Sequence, residues 1–290
     1  MVRPDQVKEL ERKAAEMRLQ IVRMMGPHKA HHFGGSLSCA DVVTALYFYK
    51  MRAVASTAYD PQDPRWPERD RFIMSKGHSV PAQYAALAML GVLSYDELPT
   101  LKCLGGRLQG HPACQETPGI EGCTGALGEG LSYANGMAFA GRILGLSYRV
   151  YCLLGDGELQ EGQIWEAAMT SAQHKLGNVV AIVDRNGLKA MDRVDCAKCL
   201  DPLPERWISF GWAAQEIDGH DMAAICEALD WADAQTEKPA VIIANTIKGK
   251  GVSFLEGQPK YHNAPLSEDE FGRALAELEA AKRAEERLSD

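Results

Sequence analysis

Apolar positions recur with two different periods along this chain, and the alternation of those periods predicts its architecture. Leu10, Ala14, Met17, Ile21 and Met24 fall three or four residues apart, as on one face of a helix, and Gly26-Pro27 ends that pattern. Further helical patterns run from about Ala40 to Tyr49 and from roughly Pro81 to Leu90. Between them Pro61, Pro64 and Pro67 mark a loop, and Arg71-Phe72-Ile73-Met74-Ser75 reads as a short buried strand. In the later half, Val150 to Leu154, Val179 to Val183 and Ala240 to Ala244 are apolar throughout and bounded by Gly, Asp or Asn. Trp165, Ala168, Met169 and Ala172 share one face of a helix between the first two. Strands with no polar face, separated by helices, predict a parallel sheet covered on both sides. Ser267-x-x-Glu270 is a capping box that opens a last helix with a charged tail. The expected fold is an α/β domain over residues 1–265, its parallel sheet flanked by helices on both faces, with a helical extension over 266–290.

Bulk properties narrow the partners. The 290 residues are 46% hydrophobic, enough to bury one large core, and the net charge of −8 disfavours nucleic acid and acidic membrane surfaces. Met1 to Gln6 does not read as a secretory leader, and no apolar run is long enough to span a bilayer, so a soluble cytoplasmic protein is expected. Of eight cysteines only Cys196 and Cys199 form a C-x-x-C pair, and a structural zinc site would need a second pair or histidines beside it. The cysteines read as reduced thiols, with Cys152 a small hydrophobe in its strand. A redox or metal role for Cys196 and Cys199 is the lesser reading.

The chemistry concentrates at strand ends. Val150 to Leu154 runs directly into Gly155-Asp156-Gly157, and Val179 to Val183 runs into Asp184-Arg185-Asn186-Gly187-Leu188. Ligands of open α/β sheets bind just beyond the carboxyl ends of strands. One helix and one strand separate Asp156 from Asn186, so adjacent parallel strands would bring a carboxylate and an amide oxygen to the same edge. These are hard oxygen donors that suit Mg²⁺ carrying a diphosphate. Gly-Asp-Gly alone would be an ordinary turn; the flanking strand, helix and second strand favour a site.

Histidines stand in glycine-rich surroundings in order along the chain: His31-His32-Phe33-Gly34-Gly35, His78 at a strand end, Gly110-His111-Pro112, and Tyr261-His262-Asn263. Such side chains donate to phosphates and hydroxyls and move protons near neutral pH. The turn from Gly125 through Ala126 and Leu127 to Gly130 opens a helix and would offer backbone N–H groups to an anion. Lys248-Gly249-Lys250-Gly251 would meet phosphate or form a solvated loop, and both readings stand. Ala134, Ala138 and Gly141 form a small-residue face, internal or at an interface. His174 is read as structural, within a helix.

The segment from Gly155-Asp156-Gly157 to Asn186 resembles the thiamine diphosphate motif, and Gly155-Asp156-Gly157-Glu158-Leu159-Gln160-Glu161-Gly162 resembles transketolases in particular. The resemblance covers about Lys8 to Phe271. It implies thiamine diphosphate and Mg²⁺ as cofactors, with Asp156, Asn186 and the Leu188 carbonyl on the metal. Where many relatives carry a second Asn, Gly187 follows here, leaving Asn186 as the side-chain ligand. It further implies His78, Gly125, Ala126, Leu127, Gly157, Asn186 and His262 as cofactor contacts, and His32, His111 and His262 at the substrate. His32 is preferred to His31 because it precedes Phe33-Gly34-Gly35. Glu161 and Glu166 would be interface carboxylates or simply favour a helix dipole.

A full-length transketolase would continue into a pyrimidine-binding domain carrying the activating glutamate, a stacking aromatic residue and sugar-phosphate arginines. None has a place here. The resemblance therefore implies the N-terminal subunit of a split transketolase. Its obligate partner would be a C-terminal pyrimidine-binding subunit, and the assembly a heterotetramer. The implied reaction passes a two-carbon ketol unit from a ketose phosphate to an aldose phosphate, within pentose phosphate metabolism. The rivals are a deoxyxylulose-phosphate-synthase-like thiamine enzyme, which Gly34-Gly35-Ser36-Leu37 also suits, and a non-catalytic protein that kept the cofactor fold.

Overall fold

The computed structural model describes residues 2–51, 66–190 and 192–287. Pro61 and Pro64 of the expected loop lie outside the described residues. The first helix, α1 (Pro4–Met25), buries Leu10, Ala14, Met17, Ile21 and Met24, and Gly26 closes it at φ +64°, a conformation that suits glycine. Two short helices follow, α2 (Phe33–Ser38) and α3 (Ala40–Ala45), and a π-helical turn carries the chain from Leu46 to Lys50. The single helix expected over 40–49 is thus an α-helix that loosens halfway.

Five strands form the sheet: β1 (Arg71–Met74), β2 (Val150–Gly155), β3 (Val179–Arg185), β4 (Ala213–Asp218) and β5 (Ala240–Asn245), in spatial order β1-β2-β3-β5-β4. All four pairings are parallel, with Arg71 opposite Val150, Val150 opposite Val179, Val180 opposite Ala240 and Ala213 opposite Ala240. β4 was not expected. It lies at an edge, and its half-polar run Gln215-Glu216 lacks the apolar continuity that marks the inner strands.

Side chains alternate between two cores. Phe72, Met74, Tyr151, Leu153, Val180 and Ile182 pack with α1, α3, α4 (Val80–Met89) and α8 (Met222–Asp233). Ile73, Cys152, Leu154, Ala181, Val183 and Ile243 pack with α5 (Gly130–Ile143), α6 (Gly162–Gln173) and α7 (Leu203–Ser209). The apolar strands are covered on both faces, as their composition requires. α6 turns differently from expectation: Ile164, Ala167, Ala168 and Ser171 are buried, while Met169 is 52% exposed. Ala134, Ala138 and Gly141 of α5 are internal; a Cβ on Gly141 would come within 2.8 Å of the Tyr148 ring. His174 caps α6 rather than lying within it, with its ring 4.9 Å from that of Phe139.

The last helix, α9 (Glu268–Arg287), begins with the capping box: the Glu270 N–H donates to Ser267 Oγ at 3.2 Å and the Ser267 N–H to Glu270 Oε2 at 2.9 Å. It lies along α1, burying Ala274 and Leu278 and pairing Glu279 with Arg23. Cys39, Cys152 and Cys226 are buried, Cys196 and Cys199 are exposed, and the thiols in contact are those of Cys114 and Cys123, 3.3 Å apart. Among the described residues no helix is long and apolar enough to cross a membrane, and no group of three His, Cys, Asp or Glu side chains is placed to hold a metal.

Candidate active site

β2 and β3 are neighbours, with Gly155 opposite Asp184, so Asp156 and Asn186 leave the sheet side by side at its carboxyl edge. The Asp156 carboxylate is buried and accepts the Gly157 N–H at 2.7 Å and the Gly187 N–H at 2.6 Å. Burial and the nearby Asp184 charge push its carboxyl up to about 6, and among the described residues no Lys or Arg pairs with it. Asn186 Nδ2 donates to Asp184 Oδ2 at 3.1 Å, while its Oδ1 accepts the Leu188 N–H at 3.1 Å. The Leu188 carbonyl in turn accepts from Lys248 Nζ at 3.1 Å.

Beneath these groups lies an ion pair the sequence did not disclose. Lys76 and Asp184 are fully buried and bonded to each other. Asp184 also accepts from Ser38 Oγ at 2.6 Å and from Thr246 Oγ1, and Lys76 Nζ donates to the Gly35 carbonyl at 3.0 Å. Burial opposes both charges, but the Lys76 charge holds Asp184 below the usual carboxylate range and the Asp184 charge holds Lys76 above its ordinary value. A second buried carboxylate, Glu158, accepts from Ser75 Oγ at 2.5 Å and from the N–H groups of Gly128 at 2.9 Å and Gly155 at 3.0 Å. It ties the turn before α5 to the end of β2. The trace of this layer in the sequence was a charge just beyond three of the apolar strands, at Lys76, Asp156 and Asp184.

The histidines converge. Ring centroids of His32 and His78 are 5.1 Å apart, of His32 and His262 5.3 Å, of His78 and His262 5.1 Å, and of His32 and His111 6.1 Å. His31 stays outside the cluster, pairing its backbone with Ala264. Burial lowers all four rings: His32 to about 3, His262 to about 4, and His78 and His111 below their ordinary value. They are neutral near pH 7. The 1%-exposed His31 is lowered likewise, to about 4, mainly by burial.

A cavity of about 390 Å³ spans the floor and part of the histidine cluster, bordered by Asp156, Gly157, Asn186, Leu188, Lys248, His78, His262 and Leu127. Lys248 is no solvated loop residue: it is 2% exposed, and its ammonium lies 3.0 Å from His262 Nδ1. Burial and the Lys76 charge lower it to about 8. Gly125 and Ala126 do not border the cavity. Gly125, at φ +143°, lies against His111, where a Cβ would come within 2.9 Å of the ring. The Gly128 N–H is already taken by Glu158, so the glycine turn offers an anion less than its sequence promised. Glu161 and Glu166 are exposed. A smaller hollow of about 120 Å³ also borders Asp156, but its arginines are engaged, Arg185 with Asp201 and Glu216, Arg193 with Asp195. The larger cavity combines an unpaired buried carboxylate, hard oxygen donors, an ammonium and neutral imidazoles, a set that suits a metal-bound anion with a polar group beyond it.

Comparison with known proteins gives that chemistry a family. Residues 11–281 match the model for the transketolase, thiamine diphosphate-binding domain. The fold and cavity are thus those of a thiamine diphosphate-binding α/β domain. The chain is 42% identical over 271 residues to a 6-deoxy-6-sulfo-D-fructose transketolase subunit of a Clostridium species, covering 93% of this chain and 96% of that one. It is 42% identical over 273 residues to an apulose-4-phosphate transketolase subunit of Phocaeicola vulgatus, covering 94% and 95%. The transketolase structure from Campylobacter jejuni superimposes with a TM-score of 0.83 at 30% identity, over 98% of this chain but 46% of that longer one. The chain belongs to the transketolase family, matching its thiamine diphosphate-binding domain.

Proposed function

We propose that this chain holds the cofactor in a two-chain transketolase, which moves a two-carbon ketol unit from a ketose phosphate to an aldose phosphate. One observation carries the reading: Asp156 and Asn186 stand side by side at the sheet edge, on the same cavity as His78 and His262. Asp156, Asn186 and the Leu188 carbonyl hold Mg²⁺. Their oxygens are the hard donors it prefers, and the buried Asp156 carboxylate lacks a cationic partner among the described residues. Lys248 and Gly157 would meet the diphosphate, with Leu127 beside them, while Gly125 and Ala126 stand back from the cavity; His78 and His262 would contact the cofactor. When bound, thiamine diphosphate supplies a thiazolium carbon that can hold the electron pair released when a carbon–carbon bond breaks.

The side chains handle protons and hydroxyls. The Lys248 ammonium donates to His262 Nδ1, so the neutral ring carries its proton on Nε2 and offers a donor there. His32 and His111, kept neutral by burial, can accept from one hydroxyl while donating to another. These three histidines hold the sugar and assist proton movement.

The activating glutamate, the stacking aromatic residue and the phosphate-binding arginines come from a partner chain with the pyrimidine-binding domain, in a cytoplasmic heterotetramer. That the chain spans less than half of a full-length transketolase, yet nearly all of two separately named subunits, supports this reading. Those subunits are named for a sulfonated deoxyfructose and for apulose 4-phosphate, so the test sugars extend beyond the pentose phosphates first expected. The transketolase relatives favour ketol transfer over the synthase reaction.

The test is to co-purify the chain with the product of a neighbouring reading frame and assay each alone and both together, on ketose phosphates and on pyruvate. Ketol transfer should require both. Turnover by this chain alone would end the two-chain reading, and consumption of pyruvate would favour the synthase. Cofactor and Mg²⁺ binding without any turnover would favour a non-catalytic protein.

A further inference from the structure

His220 follows β4 and belongs neither to the cavity floor nor to the histidine cluster, yet its ring is fixed from both sides. Its Nε2 accepts the backbone N–H of Ile247 at 2.8 Å, and its Nδ1 lies 2.7 Å from Asp41 Oδ2. A nitrogen that accepts an N–H carries no proton, so the proton sits on Nδ1 and is donated to Asp41. Asp41, 6% exposed, is held in turn by Arg18 of α1. Three elements therefore converge on one backbone N–H, and that N–H belongs to the residue before Lys248.

The surrounding bonds show why this matters. Where the chain leaves β5, the Thr246 N–H donates to the Arg185 carbonyl at 3.0 Å and the Gly249 N–H to the Gly34 carbonyl at 3.0 Å. The Lys248 carbonyl accepts from Gly257 at 2.9 Å. Between these backbone anchors, Thr246 Oγ1 is tied to Asp184, and His220 is the side chain that holds the Ile247 N–H next to Lys248. Asp41 lies in the first turn of α3, directly after the α2 helix that bears Gly35, and a Cβ on Gly34 would come within 2.8 Å of Lys248 Cγ. The lysine is clamped between α2 and its own loop, with no slack to re-aim its ammonium if that loop shifts.

We propose that His220, oriented by Asp41, is a positioning residue for Lys248: it sets the backbone from which the ammonium reaches the diphosphate end of the cavity. The inference rests on the role given to Lys248 under the proposed function. Ile247 is 39% exposed, so an N–H released by His220 turns to solvent, and the loop loses the side-chain contact that fixes its position. His220→Asn keeps a donor for Asp41 but cannot reach the Ile247 N–H, whereas His220→Gln places an amide oxygen near the position of Nε2.

The experiment is calorimetric titration of the two-chain complex with thiamine diphosphate and separately with inorganic pyrophosphate, both with Mg²⁺. His220→Asn should weaken both about tenfold, and His220→Gln less than about threefold. In a Lys248→Met background the His220→Asn effect should vanish, because the group it positions is gone. Should His220→Asn fail to fold, Asp41→Asn, which keeps an oxygen acceptor for the His220 Nδ1–H, is expected to weaken pyrophosphate about threefold, again only when Lys248 is present. The inference is overturned if His220→Asn binds like the wild type, if its loss is equal in both backgrounds, or if His220→Gln is as weak as His220→Asn. Failure of the wild-type complex to bind either probe would instead defeat the proposed function.

Discussion

The floor of the cavity and the histidine wall beside it, of which His78 and His262 border the cavity itself, are built on opposite principles. On the floor, nearly every polar group is already committed: Asp184 takes four donors, Asp156 two backbone N–H groups, and Glu158 three. In the wall, the His32 ring packs against those of His78 and His111, and among the described residues the nitrogens of these three rings make no hydrogen bond. A committed floor is rigid and specifies where a ligand sits. An uncommitted wall leaves its donors for whatever enters, and burial keeps it uncharged while it waits.

The contrast breaks most severely if the floor loses its counter-charge. Lys76→Met leaves Asp184 buried and unpaired, and should cost about 3–5 kcal/mol of stability, read from chemical denaturation. Asp156→Ala removes the carboxylate without uncovering another charge, so the fold should survive. Mg²⁺-dependent cofactor binding should weaken by at least about a hundredfold, measured by calorimetry. His32→Asn should show the reverse of Lys76→Met: a loss of about a hundredfold in ketol transfer, with the melting temperature nearly unchanged. The subtlest effect is on pH dependence. His32 and His262 titrate near 3 and 4 in the folded chain and about 6.5 when unfolded, so as pH falls through 6.5 the unfolded chain takes up protons first. Stability should therefore decline between about pH 6.5 and 3, and the His32→Asn/His262→Asn variant should flatten that decline in melts at pH 7.5, 6 and 5.

How much of this was legible in the sequence follows the same division. Asp156 and Asn186 could be placed because each ends a fully apolar strand, and strand ends in a parallel sheet share an edge. The histidines could be found by their glycine-rich surroundings, although only the fold brings them within ring contact. Lys76 and Asp184 could not be paired, because nothing local to either one names a partner on another strand. Glu158 was hidden inside a recognised motif, where it read as part of a pattern rather than as the buried acceptor that occupies the Gly128 N–H. Lys248 stayed ambiguous between phosphate and solvent until its burial removed the solvated reading. β4 was missed because edge strands keep a polar side, and its sequence lacks the signal that inner strands carry.

The strand order has a consequence for how the protein is made. β4 leaves the ribosome before β5, yet in the finished sheet its neighbour is β5, which separates it from β3. Until β5 is inserted, β4 has nothing to pair with and β3 presents an open edge. The loop bearing Lys248 and the segment bearing His262 emerge later still. Capture of a diphosphate at Lys248 would therefore be available only to a chain whose sheet has closed, and cofactor supply would bias newly made protein toward completion by mass action.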